Sequence, residues 1–203
     1  SLRSTCINRE TLQPWNHRST VWMAPIIQMC TQLTSLDLEL NSVDEHLPFV
    51  EALAGLTNLV HLHITTDKNL GDISASFFSL HLPHLTDLET TMMIPDDMLS
   101  ALADFLERHS DLVKLGLAFS CHEGSGQSMS VLAKCTALTS LRRIDWPPIH
   151  HFEPLPPSLR CLDWTCHTVP KDSLTLPPDH TLTHFQNRTF DNNIRLHQTL
   201  VDL

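Results

Sequence analysis

The sequence predicts an α/β protein, a solenoid in which short strands and connecting segments alternate as a right-handed βα superhelix with a curved parallel sheet. The first observation is a motif, Leu-x-x-Leu-x-apolar, whose alternating apolar positions are typical of a strand buried on one face. The second is its period, because four complete and three weaker copies follow one another at intervals of 26, 26, 27, 26, 21 and 23 residues. A fixed period of this length indicates stacked structural units, here about seven. The motifs begin at Leu33, Leu59, Leu85, Leu112, Leu138, Leu159 and Leu182.

Helices are predicted between the earlier motifs, because the spacing of apolar residues there changes from two to about 3.6. The clearest helix opens at Pro95 with two aspartates behind it, a start that suits the unpaired amides and the positive dipole end. Similar patterns predict helices over residues 43–56 and 128–135. In four of the first five units an apolar residue stands six positions before the leading leucine, as expected for a helix that packs on the strand. In the third unit this position is Ser79. The four are Ile27, Leu53, Leu106 and Leu132.

The last third of the chain is rich in proline, which lacks a backbone donor and clashes with the preceding helical turn. We therefore expect short, extended or polyproline-like connections there, and a bulge or register change where 141–144 breaks the strand alternation. Residues 24–190 hold the repeats of a single domain over 1–203, with a flank or cap over 1–23 and a second cap over 191–203. The prolines are Pro147, Pro148, Pro154, Pro156, Pro157, Pro170, Pro177 and Pro178.

Cysteine stands three residues before the leading leucine in two units. The two stretches are Cys30-Thr31-Gln32-Leu33 and Cys135-Thr136-Ala137-Leu138. With this spacing, residues 24–190 resemble the leucine-rich-repeat family, and specifically its cysteine-containing class. Asn41 and Asp67 occupy the position of the asparagine that follows the strand in that family, and Cys121 lies one residue beyond it.

The resemblance implies a leucine-rich-repeat solenoid whose sheet binds protein. Members of this class often form the substrate-receiving half of F-box ubiquitin-ligase subunits, so the resemblance also implies a substrate receptor or adaptor fragment. The stretch 103–109, Ala-Asp-Phe-Leu-Glu-Arg-His, is similar to fungal proteins of that type. No part of the chain resembles the F-box itself.

Composition excludes several classes of protein. The formal net charge is −10, and the 13 Lys and Arg residues are scattered, so the basic stripe that phosphate backbones require is missing and nucleic acid is not expected as a partner. No apolar run approaches the ~18 residues of a membrane span, so no membrane association is expected. Six scattered cysteines do not resemble a disulfide framework, which favours an intracellular protein, cytoplasmic or nuclear.

The side chains that alternate with the leucines should point away from the core, because a strand changes face at every residue. Equivalent positions on neighbouring strands become side-by-side neighbours, so His63 is expected between Asp37 and Glu89, and His61 between Ser35 and Asp87. The predicted partner-binding set is Ser35, Asp37, Glu39, His61, His63, Asp87, Glu89, Lys114, Arg142, Asp163, His184, Gln186 and Arg188.

Two functions follow from this set. The first is a non-enzymatic interaction module that binds protein: its acidic N-terminal half meets a basic partner, and Lys114, Arg142 and Arg188 meet an acidic one. The second is a metal-dependent or histidine-dependent hydrolase that uses Asp37, His61, His63 and Glu89, because imidazole and carboxylate are standard metal ligands. Histidines beside carboxylates at a solvent-exposed surface more often form only weak ion pairs. We therefore expect the interaction module, with no cofactor and no catalytic residue.

Overall fold

A computed structural model describes residues 23–40, 47–66, 71–119, 132, 134–145, 155–166 and 182–189. Within these ranges the helices are α1 (Met23–Met29), α2 (Leu47–Ala54), α3 (Gly71–Phe78) and α4 (Leu99–Arg108), and a short 3-10 turn, Asp96–Met98, precedes α4. The strands are β1 (Ser35–Leu40), β2 (His61–Thr66), β3 (Asp87–Ile94), β4 (Lys114–Phe119), β5 (Ser140–Asp145), β6 (Cys161–Cys166) and β7 (His184–Thr189).

The seven described strands form one sheet in sequential order, and every neighbouring pair is parallel. Their first residues are register partners, and each lies 26, 26, 27, 26, 21 or 23 residues beyond its predecessor. These offsets equal the spacing of the leucine motifs. The prediction of an α/β protein with a parallel sheet built on those motifs is therefore confirmed.

A backbone hydrogen-bond pattern recurs at every junction between adjacent strands. The carbonyl of Thr34 accepts from the amides of Val60 and His61, at 2.9 and 3.0 Å. The equivalent carbonyl in each of the next five units likewise accepts from two consecutive amides of the unit that follows it. The start of each strand from β2 onwards is therefore hydrogen-bonded to the residue that precedes the neighbouring strand. The other five acceptors are the carbonyls of Val60, Thr86, Val113, Thr139 and Arg160.

The core lies between the sheet and the helices, and the motif leucines fill it. Burying such a side chain contributes about 1.5–3 kcal/mol, which is why the apolar period determines the strand register. Leading leucines are at most 2% exposed in the five inner units, whereas Leu33 and Leu182 at the two ends are only partly buried. Inward residues with at most 3% exposure include Leu36, Leu38, Leu62, Ile64, Leu88, Leu115, Leu117, Leu141 and Leu162.

The helices pack side by side in chain order, α1 on α2, α2 on α3 and α3 on α4. Three phenylalanines join the last two, with ring centroids of Phe105 at 6.0 Å from Phe77 and 5.8 Å from Phe78. The predicted inward residues Ile27, Leu53, Leu106 and Leu132 are all buried. Ser79 is exposed because α3 ends at Phe78, and the buried Phe77 and Phe78 do the packing in that unit.

Helix boundaries differ from the prediction at several places. The helix expected over 43–56 is seen as Leu47–Ala54, and the start at Pro95 leads into the 3-10 turn before α4. Most of 128–135 lies outside the described residues, as do Asn41, Asp67, Cys121 and the two predicted caps except Met23. Of the predicted prolines only Pro156 and Pro157 are described, in the turn before β6.

Two register changes interrupt the sheet. The predicted one is confirmed, since β5 advances from Arg142 to Ile144 while β6 advances from Asp163 to Trp164. A second, not predicted, lies in β3, which advances from Glu89 to Met93 while β4 advances only from Gly116 to Ala118. Thr91 within this longer stretch accepts from the Thr66 amide at 2.8 Å and donates to the Thr66 carbonyl at 3.0 Å. The threonine thus joins β2 and β3 beyond Ile64 and Thr90, the last register pair of these two strands.

Candidate functional site

The candidate site is the sheet face turned away from the helices, which we call the outer face. It carries two rows of side chains defined by register. The entry row holds the first residue of each strand, and the middle row holds the third. The entry row is Ser35, His61, Asp87, Lys114, Ser140, Cys161 and His184, and the middle row is Asp37, His63, Glu89, Gly116, Arg142, Asp163 and Gln186.

Eleven of the 13 predicted site residues lie in these two rows, and Glu39 and Arg188 lie at the fifth position of β1 and β7. Glu39, Gln186 and Arg188 are placed by strand register alone. The expected neighbours are confirmed, because His63 pairs in register with Asp37 on one side and Glu89 on the other. His61 likewise lies between Ser35 and Asp87. Binding of a partner by these residues remains a prediction.

Contacts between polar side chains on the outer face join residues of adjacent strands. His63 Nδ1 lies 3.2 Å from Asp37 Oδ1, and His61 Nδ1 lies 3.5 Å from Asp87 Oδ2. Lys114 Nζ also approaches Asp87 Oδ2, at 3.0 Å, and donates a hydrogen bond to it. The two histidines therefore contact two different carboxylates, and Asp87 is shared between β2 and β4.

Glu89 and Gly116 form a close contact that the sequence alone did not reveal. Gly116 is buried although it occupies an outward position, and a Cβ added there would lie 2.8 Å from Glu89 Cγ. The glycine thus leaves room for the stem of Glu89 to lie against β4. The signal was the lone glycine among outward residues that otherwise carry side chains, since glycine within a strand often marks a close approach.

The set Asp37, His61, His63 and Glu89 was the predicted metal or acid–base alternative. In the structure the two histidines contact Asp37 and Asp87, and Glu89 joins neither pair. Within the described ranges, no three His, Cys, Asp or Glu side chains come close enough together to hold a metal ion.

A buried histidine on the other side of the sheet was also missed. His109 is 4% exposed; its Nε2 accepts from the Leu82 amide at 3.0 Å and its Nδ1 lies 2.8 Å from the Phe105 carbonyl. Because Nε2 must accept, the proton lies on Nδ1 and the ring is neutral. Burial lowers the pKa of His109; the hydrogen bond to the Phe105 carbonyl opposes this shift in part, and the nearby His81 and Arg108 add to it.

His109 also occupies a recurring position in the chain. It stands three residues before the leading leucine. In each of the first six units, the carbonyl of the residue at this position accepts a hydrogen bond from the amide of the leading leucine. Cys135 holds this position in the next unit, and burial raises the pKa of its thiol. The six residues are Cys30, Leu56, Leu82, His109, Cys135 and Pro156. The signal was positional, since the other five of these six residues have an apolar or thiol side chain.

No helix among the described residues is both long and apolar enough to cross a membrane. No protein-family model matches the chain, and neither does any curated protein.

Proposed function

We propose that the chain is a leucine-rich-repeat solenoid and that it acts as a protein-interaction module. The solenoid is supported by the equality between the leucine period and the strand register, and by the junction bonds that recur from unit to unit. Repeat units of this kind bury their apolar side only by stacking on one another, which leaves the opposite face of the sheet for a partner.

The observation that carries the interaction role is the outer face itself. Its described positions in β1 to β3 alternate with buried residues, most of them leucine, and hold polar or charged side chains. The backbone that carries these side chains is already fixed in hydrogen-bonded strands, so binding has to order the side chains but not the backbone. A broad polar surface on a fixed framework suits protein recognition, in which electrostatic complementarity sets orientation and specificity.

Large uncharged side chains introduced on the outer face test this proposal. Ser35 and Ser140, half-buried in the entry row, are replaced in the double variant Ser35→Tyr/Ser140→Tyr. The matched control is Ser100→Tyr/Ser110→Tyr, at two exposed positions on and just after α4. Wild type and both variants are used as baits in the native cell extract, and captured proteins are quantified by mass spectrometry.

We expect at least one protein to be captured by the wild type and by the control and to be lost, about tenfold or more, with the outer-face variant, since blocking a central contact commonly costs more than ~1.4 kcal/mol. Equal capture by all three baits, or loss only with the helix-side control, would refute the proposal. Circular dichroism checks that both variants fold.

A narrower form of the proposal is a substrate receptor or adaptor in an F-box ubiquitin ligase. Its support is the resemblance of the cysteine-containing units to that class. The same capture experiment tests it, because an F-box ligase subunit should then be among the proteins retained by the wild type. Absence of any ligase subunit from the captured set would leave a free-standing adaptor.

A further inference from the structure

The outer face is unevenly charged from one end to the other. Across β1 to β3 its described side chains include Asp37, Asp87 and Glu89 and no lysine or arginine. The first basic residues in the two rows are Lys114 on β4 and Arg142 on β5. The first three strands therefore present carboxylates that are not matched one for one by their own basic groups.

Asp87 is already neutralised within the protein. Its Oδ2 atom accepts from Lys114 Nζ at 3.0 Å and lies 3.5 Å from His61 Nδ1, and its side chain is only 24% exposed. A partner would have to displace the lysine to reach it. Asp87 is therefore a fixed element of the surface and not an attachment point.

Asp37 and Glu89 differ from Asp87. The Asp37 side chain is 65% exposed, and its Oδ1 atom lies 3.2 Å from His63 Nδ1. The Glu89 carboxylate makes no ion pair or side-chain hydrogen bond with any other described residue, although its stem is half-buried over Gly116. Both stand in the middle row with His63 between them. Two carboxylates thus remain available, two strand spacings apart, or ~10 Å.

We propose that the middle row from β1 to β4 binds a basic segment of the partner protein, with one cationic side chain on Asp37 and a second on Glu89. This inference rests on the interaction role proposed above and specifies the chemistry of the partner. Gly116 positions the second contact, because its missing side chain is what allows Glu89 to lie against β4.

The separation of the two carboxylates selects the spacing of the two cations. A polyproline-type segment has three residues per turn and a rise of ~3.1 Å, so residues i and i+3 project on the same side ~9 Å apart. Arginine or lysine at i and i+3 of an extended segment crossing the strands therefore matches Asp37 and Glu89. Adjacent basic residues do not, because they project in different directions.

The test uses the full chain labelled with ¹⁵N and three peptides titrated by NMR. The basic probe is acetyl-Gly-Arg-Pro-Pro-Arg-Gly-amide, the spacing control is acetyl-Gly-Pro-Arg-Arg-Pro-Gly-amide, and the charge control carries glutamate in place of both arginines. We expect the basic probe to shift amides of the outer face of β1 to β4. The spacing control should bind more weakly, and the charge control should leave these amides unchanged.

Two double variants that remove the same charge distinguish binding at this site from general attraction to an acidic protein. Asp37→Asn/Glu89→Gln should raise the Kd of the basic probe by roughly threefold to tenfold, as expected for two partly exposed ion pairs. Glu51→Gln/Asp104→Asn removes the same charge from exposed positions on α2 and α4 and should leave the Kd within about twofold. Gly116→Ala keeps the charge but displaces Glu89, and should weaken binding about as much as Glu89→Gln alone.

Equal effects of the two charge-neutralising pairs, shifts on the helix side, or no binding of the basic probe would overturn the inference. The interaction role itself is tested separately. A captured protein that is lost with Ser35→Tyr/Ser140→Tyr but retained by Asp37→Asn/Glu89→Gln would show that the outer face binds a partner without a basic segment.

Discussion

The two faces of the same strands follow different constraints. In β2, Leu62 is buried between Leu36 and Leu88, whereas the next residue, His63, is partly exposed between Asp37 and Glu89. The inward position that Leu62 occupies is apolar in all seven strands, because a polar or small residue there would leave a defect in a close-packed layer. The outward position changes freely from aspartate to histidine, glutamate, glycine and arginine. The inner face therefore determines the fold, and the residues of the outer face are free to vary.

The largest expected difference is between two neighbours in one strand. Leu62→Ala should lower the free energy of unfolding by about 2–5 kcal/mol, because it removes buried methyl groups and leaves a cavity. His63→Ala, one residue along, should change it by less than about 1 kcal/mol. Urea unfolding followed by circular dichroism measures both, and similar losses for the two variants would contradict the division between the faces.

A smaller effect is expected where a polar group lies on the buried side. His109→Leu removes the acceptor of the Leu82 amide and should lower the free energy of unfolding by about 1–3 kcal/mol at pH 7.5. The pKa of His109 is lowered in the folded protein, so the unfolded chain binds a proton more readily. The stability contributed by neutral His109 is thus present above pH ~6.5 and is lost as the pH falls through the lowered pKa.

The wild type should therefore lose more stability than His109→Leu when urea unfolding is repeated at pH 5. The histidines that do not face His109 are common to both proteins and cancel in the comparison, whereas the repulsion between His109 and the neighbouring His81 is part of the measured effect. Parallel loss in the two proteins would show that the proton is taken up elsewhere.

The smallest effect is expected for ion pairs on the outer face. Asp87→Asn removes the contacts with Lys114 and His61 and should lower the free energy of unfolding by at most ~1 kcal/mol, because water and salt screen partly exposed pairs. The loss should shrink further in 1 M NaCl, where the Debye length is ~3 Å. A loss of several kcal/mol that does not respond to salt would mean that Asp87 has a structural role.

The strands and their register were predictable from sequence because they depend on a local and repeated requirement. Leucine at alternating positions fixes the inward side of each strand, and the motif period then gives the register, as with His63 between Asp37 and Glu89. The register change near Arg142 was also predictable, since two arginines in succession cannot both face outwards on a regular strand.

The side-chain geometry between units was not predictable. The motif period places Glu89 beside Gly116 but does not show that the stem of Glu89 lies against the glycine, and it gives no sign of the bond from the Leu82 amide to the His109 ring. The extra residues in β3 were not predicted, because Thr90 and Met92 are both buried and the alternation of inward and outward residues continues through them. No pattern within one unit records such contacts.

The carbonyl that accepts two amides at each junction has a further consequence. Since the bonds at the six described junctions are made by backbone carbonyls and amides alone, they do not depend on which side chains those residues carry, provided that no donor is proline. Substitutions at these positions can therefore accumulate without loss of the bonds between the strands.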